Sequence, residues 1–217
     1  MAITAADVNK LRQQTGAGMM DCKNALVEAN GDFEAAVDIL RKKGQKIAAK
    51  RGDNDAKEGV ILAQTTGDGK AGVILTLNCE TDFVAKNEGY VSLVQSLINK
   101  ALENLPESVE ALKALSYDDK LSIDEKITEQ IGVIGEKLDL SGYAVLRGDK
   151  VVAYNHPGNQ LATLVVLNSA SETASEAGRQ VAMQVAAMNP IAVTKDGVDS
   201  RTIEREVEIG KELAIQE

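Results

Sequence analysis

Apolar residues recur at helical spacing in three short segments of the first 52 residues. Each segment is bounded by a residue that can cap a helix or by a glycine that can end one. We place the predicted helices at about residues 4–14, 20–30 and 32–44, with Thr4 and Asp32 as N-caps and Gly44 as the end of the third. A basic helical tail, Lys46 to Arg51, then leads into a linker. Because the segments carry few large apolar side chains, we expect a bundle that needs a neighbour for full stability.

β-branched runs replace the helical spacing from Glu58 onward. Two such runs, at 60–63 and 73–77, flank Thr66–Lys70, and this pattern predicts a hairpin. Helices follow, and strands and a helix then recur. Helices are predicted at about 89–104 and 122–132, with a further short helix that begins at Pro106. Strands are then predicted at 143–146, 151–155 and 161–167, followed by a helix at about 172–188. We therefore predict an α+β fold in which a small three-helix N-terminal domain precedes two related α+β subdomains.

A last amphipathic helix is predicted at the C-terminal end. Ser200 is its expected N-cap, and Ile203, Val207 and Ala214 lie on one side. Because no stop signal precedes Glu217, we expect the natural protein to continue beyond it. These patterns predict domains at residues 1–54, 55–148 and 149–217.

Composition narrows the classes of function. The 217 residues are 44% hydrophobic, 26% charged and 3% aromatic, which is ordinary for a globular protein. No apolar run approaches the roughly 20 residues that a membrane-spanning helix needs. The N-terminal residues carry no targeting pattern, so we expect a cytoplasmic protein without membrane contact. Cys22 and Cys79 are too few for a disulfide scaffold and are expected to be reduced thiols.

The net charge of −9 is distributed unevenly along the chain. Residues 1–52 contain 9 lysines and arginines against 6 acidic residues, whereas the remainder contains 15 against 27. Affinity for nucleic acid comes mainly from basic residues that neutralise phosphates, and the acidic body opposes it. We therefore expect no direct nucleic-acid binding and a protein as the partner.

Neither a cofactor nor a metal site is indicated. Gly67–Gly72 fits the pattern G-x-G-x-x-G, but strands are predicted on both sides of it, whereas the dinucleotide fingerprint needs a helix after it. No Walker A sequence is present. His156 is the one histidine, and the two cysteines lack the spacing of a zinc site. We expect no bound cofactor and no metal centre.

The segment Thr81–Lys86 connects a buried strand with a helix. At such a junction Asp82 can be an ordinary N-cap and Phe83 an ordinary core side chain. Binding residues also concentrate on connections, and Phe83 is one of only two phenylalanines. An exposed Asp-Phe pair would act as a wedge, with an apolar ring that enters a partner's pocket beside a carboxylate that disturbs a cation site. Both interpretations stay open on the residues alone.

Two other places carry candidate binding residues. Met19 and Met20 are adjacent near the start of the second predicted helix, so one of them should face solvent, with Arg12 and Lys23 flanking it. His156 precedes a Pro-Gly turn that directs its side chain toward solvent. An exposed histidine is usually without function, and no serine or cysteine nucleophile stands out near it.

At these residues the sequence resembles bacterial elongation factor Ts, the guanine-nucleotide exchange factor of elongation factor Tu. The agreement runs in order from the first helix to about Asn189-Pro190. The matching elements are Leu11-Arg12, Thr15–Lys23, Ala25-Leu26, Asn30–Asp32, Asn78-Cys79, Thr81–Lys86, Ile134–Glu136, and Tyr154 with His156.

The resemblance implies a fold and a mechanism. The N-terminal domain would be ubiquitin-associated-like and would grip the GTPase domain of elongation factor Tu. The protein would bind the GDP-bound GTPase, displace magnesium and promote GDP release without covalent chemistry. The contacts implied for the N-terminal domain are Arg12, Met19, Met20 and Lys23, those implied for magnesium displacement are Thr81, Asp82, Phe83 and Val84, and the contact implied near the phosphate-binding loop is His156.

The sequence departs from the family at Gln180 and Gln184, where histidines are usual, so the contacts of those histidines are not carried over. Since some members dimerise, a homodimer stays open. The alternative function is a ubiquitin- or nascent-chain-binding adaptor, in which Met19-Met20 contacts an apolar patch. An enzyme that uses His156 is a further rival.

Overall fold

Three helices precede a three-stranded and a two-stranded antiparallel sheet in the computed structural model, which describes residues 3–216. This confirms the α+β fold with three N-terminal helices. Glu217, at which the last predicted helix reached the end of the chain, lies outside the described residues, as do Met1 and Ala2 at the start of the N-terminal segment considered for targeting. The helices are α1 Ala5–Thr15, α2 Met19–Glu28, α3 Phe33–Arg51, α4 Asp82–Ala85, α5 Glu88–Asn104, α6 Val109–Ala114, α7 Ile123–Ile134, α8 Glu172–Met188 and α9 Ser200–Gln216. The strands are β1 Glu58–Thr65, β2 Ala71–Cys79, β3 Asp139–Arg147, β4 Lys150–Asn155 and β5 Ala162–Leu167.

Helices α1, α2 and α3 form a small bundle, here termed the helical head. Thr4 caps α1 as predicted, since its hydroxyl accepts the Asp7 backbone N–H and the Asp7 carboxylate accepts the Thr4 N–H in return. Val8 and Leu11 of α1 are buried against Leu26 of α2, as their helical spacing predicts.

Helix α3 does not end at Gly44, and that prediction is wrong. The helix runs on to Arg51, and Gly44 is buried where α3 crosses α7. A Cβ added to Gly132 of α7 would lie 2.6 Å from the Gly44 Cα atom, and one added to Gly44 would lie 3.2 Å from the Thr128 carbonyl oxygen. Glycine at these positions permits close backbone contact between two helices. Helix α7 likewise continues past Gly132, to Ile134. Helix α7 is thus the neighbour of the helical head.

The predicted hairpin is confirmed as β1 and β2, and β3 pairs with the free edge of β2. Leu62 of β1 faces Leu75 of β2, which faces Tyr143 of β3. Helix α5 covers this sheet with the apolar face that its sequence predicted, and its Tyr90 hydroxyl donates to the Leu77 carbonyl oxygen over 2.7 Å. Sheet, α5, α6 and α7 share the main hydrophobic core.

The second half contains two strands of its own rather than the predicted three. Residues 143–146 belong to β3 in the first sheet, and β4 pairs with β5 in a separate two-stranded sheet, with α8 packed on them. Asn155 links the two sheets because its side chain accepts the Ala63 N–H (2.8 Å) and donates to the Ala63 carbonyl oxygen (2.9 Å) in β1. The two sheets are therefore joined through a side chain that imitates a strand partner.

Helix α9 begins one residue earlier than predicted. Ser200 is its first helical residue, and the carbonyl oxygen of Asp199 accepts the backbone N–H groups of Thr202 and Ile203. None of the side chains described for α9 is buried, and Ile203 and Val207 are exposed on it. Cys22 and Cys79 are buried free thiols, as predicted.

Candidate functional site

The segment after β2 forms a short projecting element, here termed the tip, which consists of Thr81 and α4. Thr81 is the N-cap, since its hydroxyl accepts the Val84 backbone N–H over 3.4 Å. The interpretation of Asp82 as the N-cap, one of the two left open by the sequence, is wrong, because Asp82 is the first helical residue. Phe83 is 83% exposed and is not a core side chain. Val84, by contrast, is half-buried against the main core. The structure therefore presents one aromatic ring to solvent at the end of a buried strand.

Asp82 lies beside Phe83 and is paired with a lysine. The Lys86 ammonium group donates to Asp82 Oδ2 over 2.7 Å, one helical turn away. This hydrogen bond holds the pKa of Asp82 below its usual value. Asp82 is therefore an anion at neutral pH, with an exposed lysine as its counter-ion.

Glu136, just after α7, binds the base of the tip. Its carboxylate accepts the backbone N–H groups of Glu80 (3.1 Å) and Thr81 (3.0 Å) and the Thr81 hydroxyl (2.7 Å). Gly135, in the left-handed conformation, ends α7 and turns the chain toward this contact. In the sequence, Glu136 is only part of a matching motif, and no role was predicted for it.

Glu80, which precedes Thr81, forms hydrogen bonds in the opposite direction, from the base of the tip to the segment after α7 and to α3. Its carboxylate accepts the Lys137 backbone N–H (2.6 Å) and the Arg51 guanidinium at 2.8 and 2.9 Å. The hydrogen bond from the Lys137 backbone, followed by that from Arg51, lowers the pKa of Glu80. Because Arg51 is the last residue of α3, the base of the tip is tied to the helical head as well as to α7.

The start of α2 presents a methionine face. Met19 is 47% exposed and Met20 61% exposed, so both side chains face solvent rather than one. Arg12 and Lys23 are exposed nearby in the sequence, as expected. Val27, 56% exposed, was missed by sequence reasoning. Its signal was helical spacing, since Val27 follows Met20 by two turns of α2.

His156 lies in the turn that joins β4 and β5. Its side chain is exposed, and its Nδ1 atom lies 2.9 Å from the Tyr154 hydroxyl. Its backbone N–H donates to the Leu161 carbonyl oxygen and closes the turn. The hydrogen-bond partner of the ring is thus a phenol, whereas a hydrolase would need a serine or cysteine nucleophile at that position.

The predicted site residues thus lie in three separate places, namely the tip, the helical head and the β4–β5 turn. Thr81 to Val84 are together on the tip, Met19, Met20 and Lys23 are on α2 of the head with Arg12 on α1, and His156 is on the turn. Gln180 and Gln184, the departures from the family, line an open apolar groove on α8 with Val181 and Met188.

The described residues also bear on three other features: a dinucleotide site, a metal site and a membrane-spanning helix. The glycine-rich segment 67–72 joins β1 to β2, with strands on both sides. Among residues 3–216, no three histidine, cysteine or acidic side chains are grouped as a metal site would need. Within the same residues, no helix has both the length and the apolar composition needed to cross a membrane.

Comparison with known proteins decides the family. The family model described as "Elongation factor TS" matches residues 80–217. The elongation factor Ts of Christiangramia forsetii is 51% identical over 215 residues, which is 99% of this chain and 77% of the relative. That of Amoebophilus asiaticus is 52% identical over 218 residues, and that of Porphyromonas gingivalis 48% over 216, each across 100% of this chain.

The chain belongs to the elongation factor Ts family. It is therefore a translation elongation factor. The family match begins at Glu80, so it includes the whole tip, Glu136 and His156. The helical head precedes that match and is covered by the relatives, which align with nearly the whole chain.

Proposed function

We propose that this protein is a guanine-nucleotide exchange factor for elongation factor Tu, which binds the GDP-bound GTPase, displaces magnesium and promotes GDP release. The observation that carries the proposal is Phe83, 83% exposed beside an ionised Asp82 at a capped tip. A folded protein gains nothing in stability from an aromatic ring in water, so this exposure supports a binding role.

In this proposal the tip enters the nucleotide site. Phe83 inserts its ring into an apolar pocket of the GTPase, and the Asp82 carboxylate weakens retention of the magnesium ion that the GTPase holds with GDP. Thr81 fixes the tip by capping it, and Val84 anchors it to the core. Lys86 is the counter-ion of this carboxylate before contact.

The other two elements would dock the body and perturb the phosphate loop. Met19, Met20 and Lys23 on α2, with Arg12 on α1, would grip the GTPase domain, since methionine adapts well to a partner's surface. His156 would contact the partner near its phosphate-binding loop. The exposure of all five side chains supports these roles.

Exchange of this kind needs binding energy and no covalent step. A factor accelerates release when it binds the nucleotide-free GTPase more tightly than the GDP-bound form, and the effect is reciprocal. Converting the ratio of the two forms from 1:99 to 99:1 requires a differential of about 5.5 kcal/mol. One phenylalanine does not supply that amount, so the three elements must share it.

The proposal extends to the partner, the cellular location and the domain boundaries of the protein. Its partner is elongation factor Tu in the cytoplasm, with no direct nucleic-acid contact, which the excess of acidic residues after residue 52 supports. We further propose a helical domain at 1–54 and core subdomains at 55–148 and 149–217. The boundary between residues 148 and 149 is supported by the strands on either side of it, because β3 belongs to the first sheet and β4 to the second.

Binding measurements test this function. The protein is titrated by calorimetry into nucleotide-free and into GDP-loaded elongation factor Tu, and tighter binding to the nucleotide-free form is expected. Met20→Ala should weaken binding about tenfold, as loss of a central apolar contact does, whereas Met183→Ala on α8 should leave it unchanged. Equal affinity for both forms would contradict exchange. Binding of ubiquitin or nascent peptides in place of the GTPase would support the adaptor instead.

A further inference from the structure

We propose that Glu136 is a positioning residue, whose carboxylate fixes the tip in the orientation that exchange requires. The inference rests on the proposed function, because it concerns how the same tip is held. Glu136 is half-buried and follows the Gly135 turn at the end of α7. It lies in a different part of the chain from the tip and lacks the exposure of Phe83.

Helix α4 depends on contacts outside itself. It has four residues, far fewer than the roughly 12–15 that an isolated helix needs in water, so its cap determines whether it forms. Phe83 is exposed and has little packing to hold its direction. The orientation of its ring therefore follows the backbone of Thr81 and Asp82.

Glu136 controls that backbone through one hydroxyl. The Thr81 hydroxyl donates to Glu136 Oε1 (2.7 Å) and simultaneously accepts the Val84 N–H (3.4 Å). Glu136 Oε2 accepts the Glu80 and Thr81 backbone N–H groups at 3.1 and 3.0 Å. The carboxylate thus orients the hydroxyl that caps α4 and fixes the two peptide groups before it.

The Glu80 carboxylate also forms hydrogen bonds to the segment after α7, and in addition it binds the helical head. It accepts the Lys137 N–H, next to Glu136, and the Arg51 guanidinium at the end of α3. The Lys137 ammonium group also donates to the Gly52 carbonyl oxygen over 2.7 Å. The tip is thereby held against both α7 and the head, so that docking of the head fixes where the wedge enters.

Glu136→Gln tests this role, because glutamine keeps the shape but offers one acceptor oxygen and adds two N–H donors. Release of GDP from elongation factor Tu is measured across a range of concentrations of this protein. We expect the maximal stimulated rate to fall about tenfold or more, as for a misplaced reacting group. The concentration that gives half-maximal stimulation should change less than about twofold, because the docking contacts remain. Glu107→Gln, which removes a surface carboxylate paired with Arg147, is the matched control and should leave both values unchanged.

Thr81→Val keeps the inference testable if Glu136→Gln does not fold. It removes the hydroxyl from the other side of the same hydrogen bond and should also lower the maximal rate with little change in the half-maximal concentration. When both variants fold, their effects should not add, since they break one interaction. Amide hydrogen exchange at Val84 should accelerate in either variant.

The possible results distinguish failure of the positioning role of Glu136 from failure of the proposed exchange function. An unchanged maximal rate in Glu136→Gln overturns the positioning role, as do equal changes in both kinetic values or additive effects of the two variants. Absence of any stimulation by the unaltered protein overturns the proposed exchange function and this inference with it.

Discussion

Gly132 of α7 lies against Gly44 of α3 so closely that a Cβ atom on Gly132 would be 2.6 Å from the Gly44 Cα atom. That contact joins the helical head to the core. Since both atoms are backbone or fixed to it, a methyl group there could be accommodated only by moving one helix away from the other.

Gly132→Ala should therefore destabilise the protein by about 1–3 kcal/mol, even though alanine favours helix more than glycine does. The free energy of unfolding in urea measures the effect. Gly210→Ala on α9 is the matched control, because the added Cβ would meet no described atom within 4 Å outside the surrounding backbone of α9, and it should stabilise by up to about 1 kcal/mol. Equal stability of Gly132→Ala and the unaltered chain would show that the helix crossing is not tight.

Phe83→Ala should separate stability from function. With 83% of the residue exposed, removal of the ring should change the free energy of unfolding by less than about 0.5 kcal/mol. Stimulated GDP release should nevertheless fall about tenfold or more, as for a central interface residue. Val193→Ala, at a fully exposed apolar residue away from the tip, should leave release unchanged. A marked loss of stability in Phe83→Ala would mean that the ring packs against the fold.

Asn155→Ala should weaken the connection between the two sheets. It leaves the N–H and carbonyl groups of buried Ala63 without their side-chain partner, which costs about 1–3 kcal/mol for a buried unpaired polar group. Urea unfolding of this variant is compared with that of Asn104→Ala, whose side chain is exposed on α5. Equal stabilities would indicate that water replaces the amide.

Glu80 should make stability depend on pH in the acid range. Its pKa is lowered from 4.5 in the folded protein, so its contribution is fully present above about pH 4.5 and is lost as the pH falls through the lowered value. Glu80→Gln should therefore lose stability at pH 7, and the difference from the unaltered protein should narrow below about pH 4. Unfolding free energies of the two proteins across this range provide the comparison. A difference that is constant with pH would contradict a charged role for Glu80.

Local signals predicted most of the fold and only part of the site. Caps such as Thr4 and the apolar face of α5 are set by neighbouring residues, so their pattern is visible in the sequence. Gly44 misled the prediction because a glycine that ends a helix and one that admits another helix look alike in one chain. The pairing of β3 with β2 was not predicted, since the two strands are distant in sequence.

Some residues of the candidate site could likewise be predicted from the sequence, and others required the structure. Phe83 and the two methionines could be found because an unusual residue on a connection or at adjacent helical positions is conspicuous. Whether Phe83 was buried required the structure, and so did the capping role of Thr81. Glu136 could not be assigned a role, because its contacts with Glu80 and Thr81 join segments more than 50 residues apart.

The most direct test of the account is release of a fluorescent GDP analogue from elongation factor Tu, at fixed magnesium, with a substoichiometric amount of this protein. The account predicts that each molecule accelerates release from many GTPase molecules, and that Phe83→Ala abolishes most of the acceleration while it still binds. A rate equal to the spontaneous one with the unaltered protein present would contradict the account.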